Sequence, residues 1–558
     1  MRAYLTLPFV LILLCFQTTN SLAADSAAAP REPARQAVTD ATNLSFAQLE
    51  AAGARIGEIR ILNLDIFDLD DPEENKWLFR TANKLHIQTR QSVIARALLF
   101  KSGDLLVARA IDETERLLRD NRYLYDVQFR PLAFRDGVVD IEVLTRDTWT
   151  LDPGISVGRA GGSNTSSISL REYNFAGTGA SVGYAHSRNV DRNSNELIFQ
   201  YNRAFDGWTA VSQSLANNSD GKRQAASVIH PFYSLETRWA AGVSALSDDR
   251  IESIYRAGAI NSQYRHLQDS AEVFGGWSGG LSNGWTTRYT LGVTSVDDTY
   301  RLEPGKIAPA QLSSNRNITA PFVRYELIED NYEKLNNRNQ MGRPEFFALG
   351  WASSLQVGKA LAGLGSSQEP WLFAGKLSRG FTLAPQHELY ATGALSGQYG
   401  DGRGVQRQLV SANARYYWQL DKRWLLYGSL SADALRNPTT SDLLTLGGDT
   451  GLRGYPLRYQ SGERRAILTL EARAYSDLYL FRLFRVGGAA FYDVGSAWGG
   501  PYSALDKPLW LQNVGFGLRI FNVRSAFGNV LHLDFAKPLS RGNDIKSLQF
   551  LIKTKTSF

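Results

Sequence analysis

Toward its C-terminus the chain alternates apolar and polar positions with a period of two. VGFGLRI sets Val514, Phe516, Leu518 and Ile520 against Gly515, Gly517 and Arg519. NVLHLDFAK puts Leu531, Leu533 and Phe535 on one face and His532 and Asp534 on the other. In SLQFLIKTKTSF, Phe550, Ile552, Thr554, Thr556 and Phe558 oppose Lys553 and Lys555. A period of two is the signature of a β-strand. Charges keep to one side of successive strands while the other side stays apolar. That is the pattern of a wall with lipid outside and water inside. Unpaired strand edges cannot be tolerated in lipid, so the sheet must close on itself.

Comparable short segments run back to about residue 149, among them SSISLREYN, GASVGYAHS, NELIFQYNRAF, WTTRYTLGVTS and LVSANARYYW. Gly, Asn, Asp and Ser separate them, and helical periodicity is absent. Residues 151–558 are therefore expected to form a mainly β, transmembrane antiparallel barrel, the segments numbering about sixteen to twenty.

Residues 56–150 have a different texture. IGEIRILNLDIF reads as a strand, RQSVIARALLFKSGD as a helix stopping at Gly103, and VARAIDETERLLRDNRYL as a second helix. DVQFRPLAF and VVDIEVLTRD then pair through a turn at Asp136-Gly137. This is a self-contained small α/β domain. Ahead of it, residues 24–55 form an alanine- and proline-containing leader in which LSFAQLEAAGARIG can make a short helix. Residues 1–23 carry one arginine, an apolar run from Tyr4 to Phe16, and small residues before a cleavage position after Ala23. That is a secretory signal peptide, the run being short for a spanning helix. Cys15, the single cysteine, lies within it, so the exported chain is expected to carry no thiol.

Composition agrees with a barrel: 43% hydrophobic, with 49 glycines, 24 tyrosines, 27 phenylalanines and 12 tryptophans. The net charge of +6 is mild for 558 residues and no dense basic block accompanies it, so a nucleic-acid partner is not expected.

Between two strands lies LGGDTGLRGYPLRYQSG, Leu446 to Gly462. Gly447, Gly448, Gly451 and Gly454 would let it pass close to a wall. In AILTLEARAY the parity puts Glu471 on the lumenal face, and in VGGAAFYDVGSAW it puts Asp493 there, on the next strand. Two lumenal carboxylates call for a cation or water. Arg453 could fork to one carboxylate and approach the other if the loop folds inward, with Tyr455 packing the tip against Phe491 or a glycine-lined wall. The same residues also fit a solvent-facing arginine and two surface acids.

GLRGY, Gly451 to Tyr455, resembles the loop signature of the BamA/TamA superfamily of outer-membrane assembly and translocation barrels, and AAFYDVGSAW its following aspartate strand. The small domain resembles a single POTRA domain, through Gly103 and DNRYLYDVQFRP; SISLREYNFAGTGASVGY resembles the first barrel hairpin, and the terminal strand ending in Phe558 an assembly signal. The resemblance implies a barrel of sixteen strands with an inward loop held through Arg453, Gly454 and Tyr455 by Asp493 and Glu471. It also implies a barrel seam at Ser167–Asn174 and Ser547–Phe558, with Ile168, Leu170, Phe550, Ile552 and Phe558 in the closure. The signal peptide, the small domain ahead of the barrel and an even strand number place the N-terminal domain in the periplasm, and the resemblance implies outer-membrane lipids, unfolded client proteins and a periplasmic protein at the small domain as partners.

No cofactor, metal or covalent chemistry is expected. GxSxG and HExxH motifs are absent, and His86, His186, His230, His266, His387 and His532 are scattered without metal-ligand spacing. DLDDPEEN, from Asp68, lacks the glycine of a calcium loop and reads as a solvated loop. Three functions compete: assembly or translocation of client proteins, a passive or surface-exposed barrel, and a hydrolytic barrel.

Overall fold

The computed structural model describes residues 43–558 except 161–162, 340, 342–343, 401–403, 440–441, 501–502, 504, 506, 525–529, 541–544 and 556–558. The expected signal peptide, most of the expected leader and Phe558 lie outside the described residues.

A capping box between Ser45 and Gln48 starts helix α1, Phe46–Ala51. Strand β1, Arg55–Leu64, follows, then helices α2 (Trp77–Leu85), α3 (Gln91–Ala95) and α4 (Ala108–Arg119), and strands β2 (Leu124–Arg135) and β3 (Val138–Asp147). Asp136 and Gly137 both take positive φ, 52° and 76°, which lets two residues join β2 to β3. β3 is the central strand, antiparallel to β2 and parallel to β1. A parallel pair needs a crossover, and the helical stretch from α2 to α4 supplies it.

Two expectations are corrected here. The helix expected to run to Gly103 ends at Ala95. Past that point the chain must serve two cores: Ile94 and Ala97 pack with Leu118 and Val143, whereas Phe100 packs with Leu49, Ile56 and Leu106. A straight helix cannot face both. In the acidic segment, Asp68 and Asp70 are exposed but Glu74 is buried, 2.6 Å from Arg524 of the barrel. It is a docking contact as well as a loop.

Twenty antiparallel strands then close into a barrel, each beside its neighbour in sequence, with the last (Gln549–Lys555) next to the first (Leu151–Ala160). The count is twenty, not sixteen. Two-residue turns such as Ala257-Gly258 and Asn283-Gly284, all at positive φ, spend so few residues that four additional strands fit. The parity assignments hold in the last strands: Phe516, Leu518 and Phe535 face outward, while Arg519, His532 and Asp534 are buried inside.

The expected seam strand is corrected as well. Ser167–Asn174 lies within the second barrel strand, Ser163–Phe175, paired on both sides. Ile168 and Leu170 are outward-facing there and close nothing. The true first strand, LDPGISVGRA, carries Pro153, Gly154 and Gly158, which hide its alternation.

The small domain covers one end of the barrel. Arg90 donates to the Gly177 carbonyl (3.0 Å), the Leu235 amide to Glu113 (2.9 Å), and Arg109 to Glu236 (2.8 Å). Ala176-Gly177 and residues 231–238 are turns at that end, so by strand parity the connection bearing the glycine loop starts from the other.

Candidate functional site

The glycine loop leaves the strand Trp424–Arg436, folds into the lumen, and returns to the strand Arg464–Leu480. Its neck is a short ladder, Leu444–Leu446 against Gln460–Gly462. Gly447 accepts from the Leu452 amide (3.0 Å), and Gly448 donates to the Pro456 carbonyl (3.1 Å). A Cβ on Gly447 would collide with the Pro456 carbonyl and the Arg458 amide, both backbone, so only glycine fits that crossing. Gly451 takes φ +124°, and a Cβ on Gly454 would lie 2.8 Å from that of Asn513 on the barrel wall.

Arg453 stands at the centre. Its guanidinium forks onto Asp493, with Nε to Oδ2 at 2.8 Å and Nη2 to Oδ1 at 2.7 Å, and Nη1 reaches Glu471 Oε1 at 2.9 Å. Asp534 is 3.7 Å away. The Phe491 ring lies under the guanidinium, its centroid 3.4 Å from Cζ. All three ionic partners are buried, so the fork, the third carboxylate bond and the aromatic face together replace solvation.

Tyr455 does not pack on Phe491, which Arg453 occupies. Its ring is fully buried with Leu446, Leu452, Ala497 and Leu511. Its hydroxyl donates to the Gln512 carbonyl (2.7 Å) and accepts from the Gln512 amide (3.0 Å). The tip is thus hydrogen-bonded into the wall through its backbone.

Further residues complete the site. Asn513 Nδ2 and Thr469 Oγ1 donate to Asp493 at 2.8 and 2.9 Å, Arg473 Nε to Glu471 at 2.9 Å, and Arg519 to Asp534 at 2.5 Å. Arg473, Arg519 and Asp534 sit at lumenal parity, which strand alternation could have picked out. Thr469 and Asn513 share that parity too, but being uncharged they gave no sign of a carboxylate partner.

The loop also reaches the barrel seam. Arg458 forks onto Asp191 (2.9 and 2.6 Å) in the turn after the third barrel strand, and Lys553 of the last strand donates to the Gly448 carbonyl (2.8 Å). It therefore touches the last strand and a turn beyond the first one. Phe550 and Ile552 lie on that last strand, with Phe550 outward-facing.

A second element enters from the opposite end, and the sequence reading missed it. Between the strands Arg316–Glu329 and Ala352–Lys359, a hairpin pairs Tyr332–Asn336 with Pro344–Ala348. Met341 and Phe347 pack inside the barrel among Tyr390, Tyr417, Tyr475 and Phe521. Arg338 forks onto Glu388 at 2.9 and 3.0 Å. The backbone carbonyls of Asn337 and Arg338 accept from Tyr475 (2.8 Å) and Arg473 (3.1 Å). At its base Lys334 pairs with Glu115 of α4 (2.8 Å), and Arg116 lies 3.8 Å over the Tyr332 ring. A continuous polar path thus runs from α4 through the hairpin and Arg473 to Glu471 and Arg453. Its one sequence signal was Met341 with Phe346 and Phe347, apolar residues in an otherwise polar turn.

No family model and no curated protein matches the chain. Solved structures similar to it include BamA from Haemophilus ducreyi lacking POTRA domains 1-3, at 13% identity over 90% of this chain and 84% of that one, with a TM-score of 0.39. CdiB from Acinetobacter baumannii is 12% identical over 90% and 74%, with a TM-score of 0.44. CdiB from Escherichia coli is 14% identical over 91% and 77%, with a TM-score of 0.47. None of these likenesses is close enough to assign the chain to a family or to lend it an activity.

Proposed function

We propose that this protein is an outer-membrane barrel that inserts or passes client polypeptides through a seam between its first and last strands, with the small domain in the periplasm. The carrying observation is the glycine loop, which holds the last strand through Lys553 and the far side of the seam through Asp191. A barrel that only conducts solute has no use for an ionic plug bonded across its closure. The strands at the seam are weak ones: the first has a proline that cannot donate to a ladder and two glycines, and the described last strand has seven residues. Parting them would bare two edges able to template a client strand. At the entrance, β2 is an edge strand of the small sheet beside a groove of about 540 Å³ lined by Glu115, Arg119, Asp126 and Lys334, which suits an extended segment or a periplasmic partner.

The seam is tested by a cross-link. A Cβ on Gly158 would lie 3.4 Å from the Ile552 carbonyl, so cysteines at 158 and at 551, 552 or 553 bracket the junction. The oxidised pair should abolish client insertion and reduction should restore it. Equal activity in both states would remove the seam from the mechanism. Depletion followed by quantitative outer-membrane proteomics separates the roles: loss of a defined set of barrels supports assembly, and an unchanged proteome with altered solute entry supports a passive pore.

Orientation gives a separate expectation. On intact cells a membrane-impermeant maleimide should label Ile307→Cys, exposed in a connection at the loop end, and should reach Ala52→Cys in the small domain only after lysis. Labelling at residue 52 on intact cells would reverse the topology.

A further inference from the structure

Helix α2 buries one face and leaves the other bare. Phe79 stacks on Phe67 with ring centroids 4.3 Å apart, in a cluster with Ile66, Ala82, Trp149 and Leu483. Asn83 clamps the Phe67 backbone in both directions, at 3.1 and 2.9 Å. The helix is therefore well seated. Yet Trp77 is 71% exposed, Leu78 47%, Leu85 67% and Ile87, just beyond the helix, 59%. At about 100° per residue, Trp77, Leu85 and Leu78 share an arc of roughly 100° directed away from Phe79, with Arg80 and Lys84 along one border.

The position of the helix points to what covers this face. Leu483, against which α2 packs, belongs to the barrel turn that follows the strand Arg464–Leu480, and Phe481 of the turn with Leu478 and Leu480 at the strand's end are exposed and apolar. Arg482 of the same turn pairs with Glu73 just before α2, and Arg524 of another turn at that end holds Glu74 and the Ile66 carbonyl. The helix is thus anchored, through Phe79 and the two glutamates before it, at the small-domain end of the barrel, where the outward apolar side chains Leu478, Leu480 and Phe481 come to their end.

We propose that α2 is a membrane-surface helix that seats the small domain on the anionic phospholipid leaflet at this end of the barrel. Trp77, Leu78 and Leu85 enter the boundary between headgroups and acyl chains, to the depth of about 5–10 Å usual for such helices. Tryptophan suits that depth, having an apolar body and a polar N–H. Arg80 and Lys84 extend along the border toward phosphates, which selects anionic headgroups. A second copy of the chain or a client would meet the same apolar residues, but anionic lipid is complementary to the flanking cations and surrounds the barrel end to which the helix is anchored. The small domain would then be held by the membrane as well as by the barrel turns, fixing the hairpin base at Glu115 relative to the bilayer.

The inference rests on the barrel being membrane-embedded, and the test separates the two. The mature chain lacks cysteine on the sequence reading, so single cysteines at Leu78, Leu85, Ala52 and outward-facing Leu470 can each carry a fluorophore in full-length protein reconstituted into phosphatidylethanolamine–phosphatidylglycerol vesicles. Brominated phosphatidylglycerol should quench positions 78, 85 and 470, with Ala52 at least about twofold less quenched, as expected for a site clear of the boundary. Arg80→Glu with Lys84→Glu should lower quenching at 85 and leave 470 unchanged. Quenching at 470 but not at 78 and 85 overturns the helix proposal and spares the barrel; a label at 85 shielded from water yet unquenched assigns the face to protein and overturns it equally. Absence of quenching at 470 overturns both.

Discussion

Arg453→Ala is expected to undock the glycine loop while the barrel stays folded. The reason lies in what the arginine leaves behind. Asp493 is fully buried, and removing one member of a buried pair costs about 3–5 kcal/mol because the other keeps an uncompensated charge. Here Asp493 retains Asn513 and Thr469 as donors and Glu471 retains Arg473, which places the cost near the low end. About 3 kcal/mol shifts the docked fraction by roughly a hundredfold. The wall ladders do not pass through Arg453, so the loss falls on the loop. Protease access between residues 447 and 460 should rise steeply, heat-modifiable mobility of the barrel should persist, and client insertion should fall.

Arg453→Lys should recover only part of this, since an ammonium can neither fork onto Asp493 while reaching Glu471 nor lie flat on Phe491. Tyr455→Phe keeps the buried ring and loses both hydrogen bonds to Gln512, so it should loosen the tip without touching charge. The deciding measurement is a double-mutant cycle of Arg453→Ala with Asp493→Asn, read by loop protection and by thermal stability. Contacting residues couple by about 0.5–3 kcal/mol. Additive losses would falsify the latch.

What the sequence made legible followed from strand parity. Glu471 and Asp493 could be placed on one lumenal face because each is flanked by neighbours that face the other way, Leu470 and Ala472 or Tyr492 and Val494, and the structure brings Arg453 between them. Arg519 and Asp534 were equally readable. Thr469 shared the lumenal parity of Glu471, and Asn513 that of Gly515 and Arg519, but an uncharged donor on that face does not announce which carboxylate it serves. The first strand escaped notice for a related reason. Pro153, Gly154 and Gly158 erase the alternation that marks a strand, so LDPGISVGRA looks like a linker. The weakness that hid it from a reading of the sequence is the property that suits it to a seam.

Length and local periodicity failed where tertiary contacts override them. The residues after Ala95 keep helical spacing, but Phe100 is needed in a different cluster from Ile94 and the chain bends. α2 went unseen because WLFRTANKL has apolar residues on two sides, one for the domain and one bare. The hairpin at residues 332–348 has no counterpart among the elements expected from the sequence. Nothing local announces that a turn folds inward; only the width of the barrel requires it.

That width carries the second large prediction, which concerns the lumen. Barrels of about sixteen to eighteen strands already leave an aqueous channel, and diameter grows with strand number, so twenty strands enclose more space than wall side chains can fill. The glycine loop fills it from one end and the hairpin from the other. They meet at Arg473, which donates to the hairpin's Arg338 carbonyl and to Glu471. Two obstructions in series behave unlike one. Deleting residues 447–460 should raise bilayer conductance only modestly, because Met341 and Phe347 still block the small-domain end. Replacing 332–348 with a short Gly-Ser turn should likewise leave the loop in place and conductance low. Both deletions together should open a large, steady channel, well above the sum of the single effects. A point variant guards against misfolding as the explanation: Arg338→Ala leaves buried Glu388 without its forked partner, a loss of about 3 kcal/mol or more, and in the loop-deleted background it should raise conductance without removing any wall strand. Large steady conductance in the intact protein, or no further rise when the hairpin is removed from the loop-deleted barrel, would show that the hairpin does not obstruct the lumen.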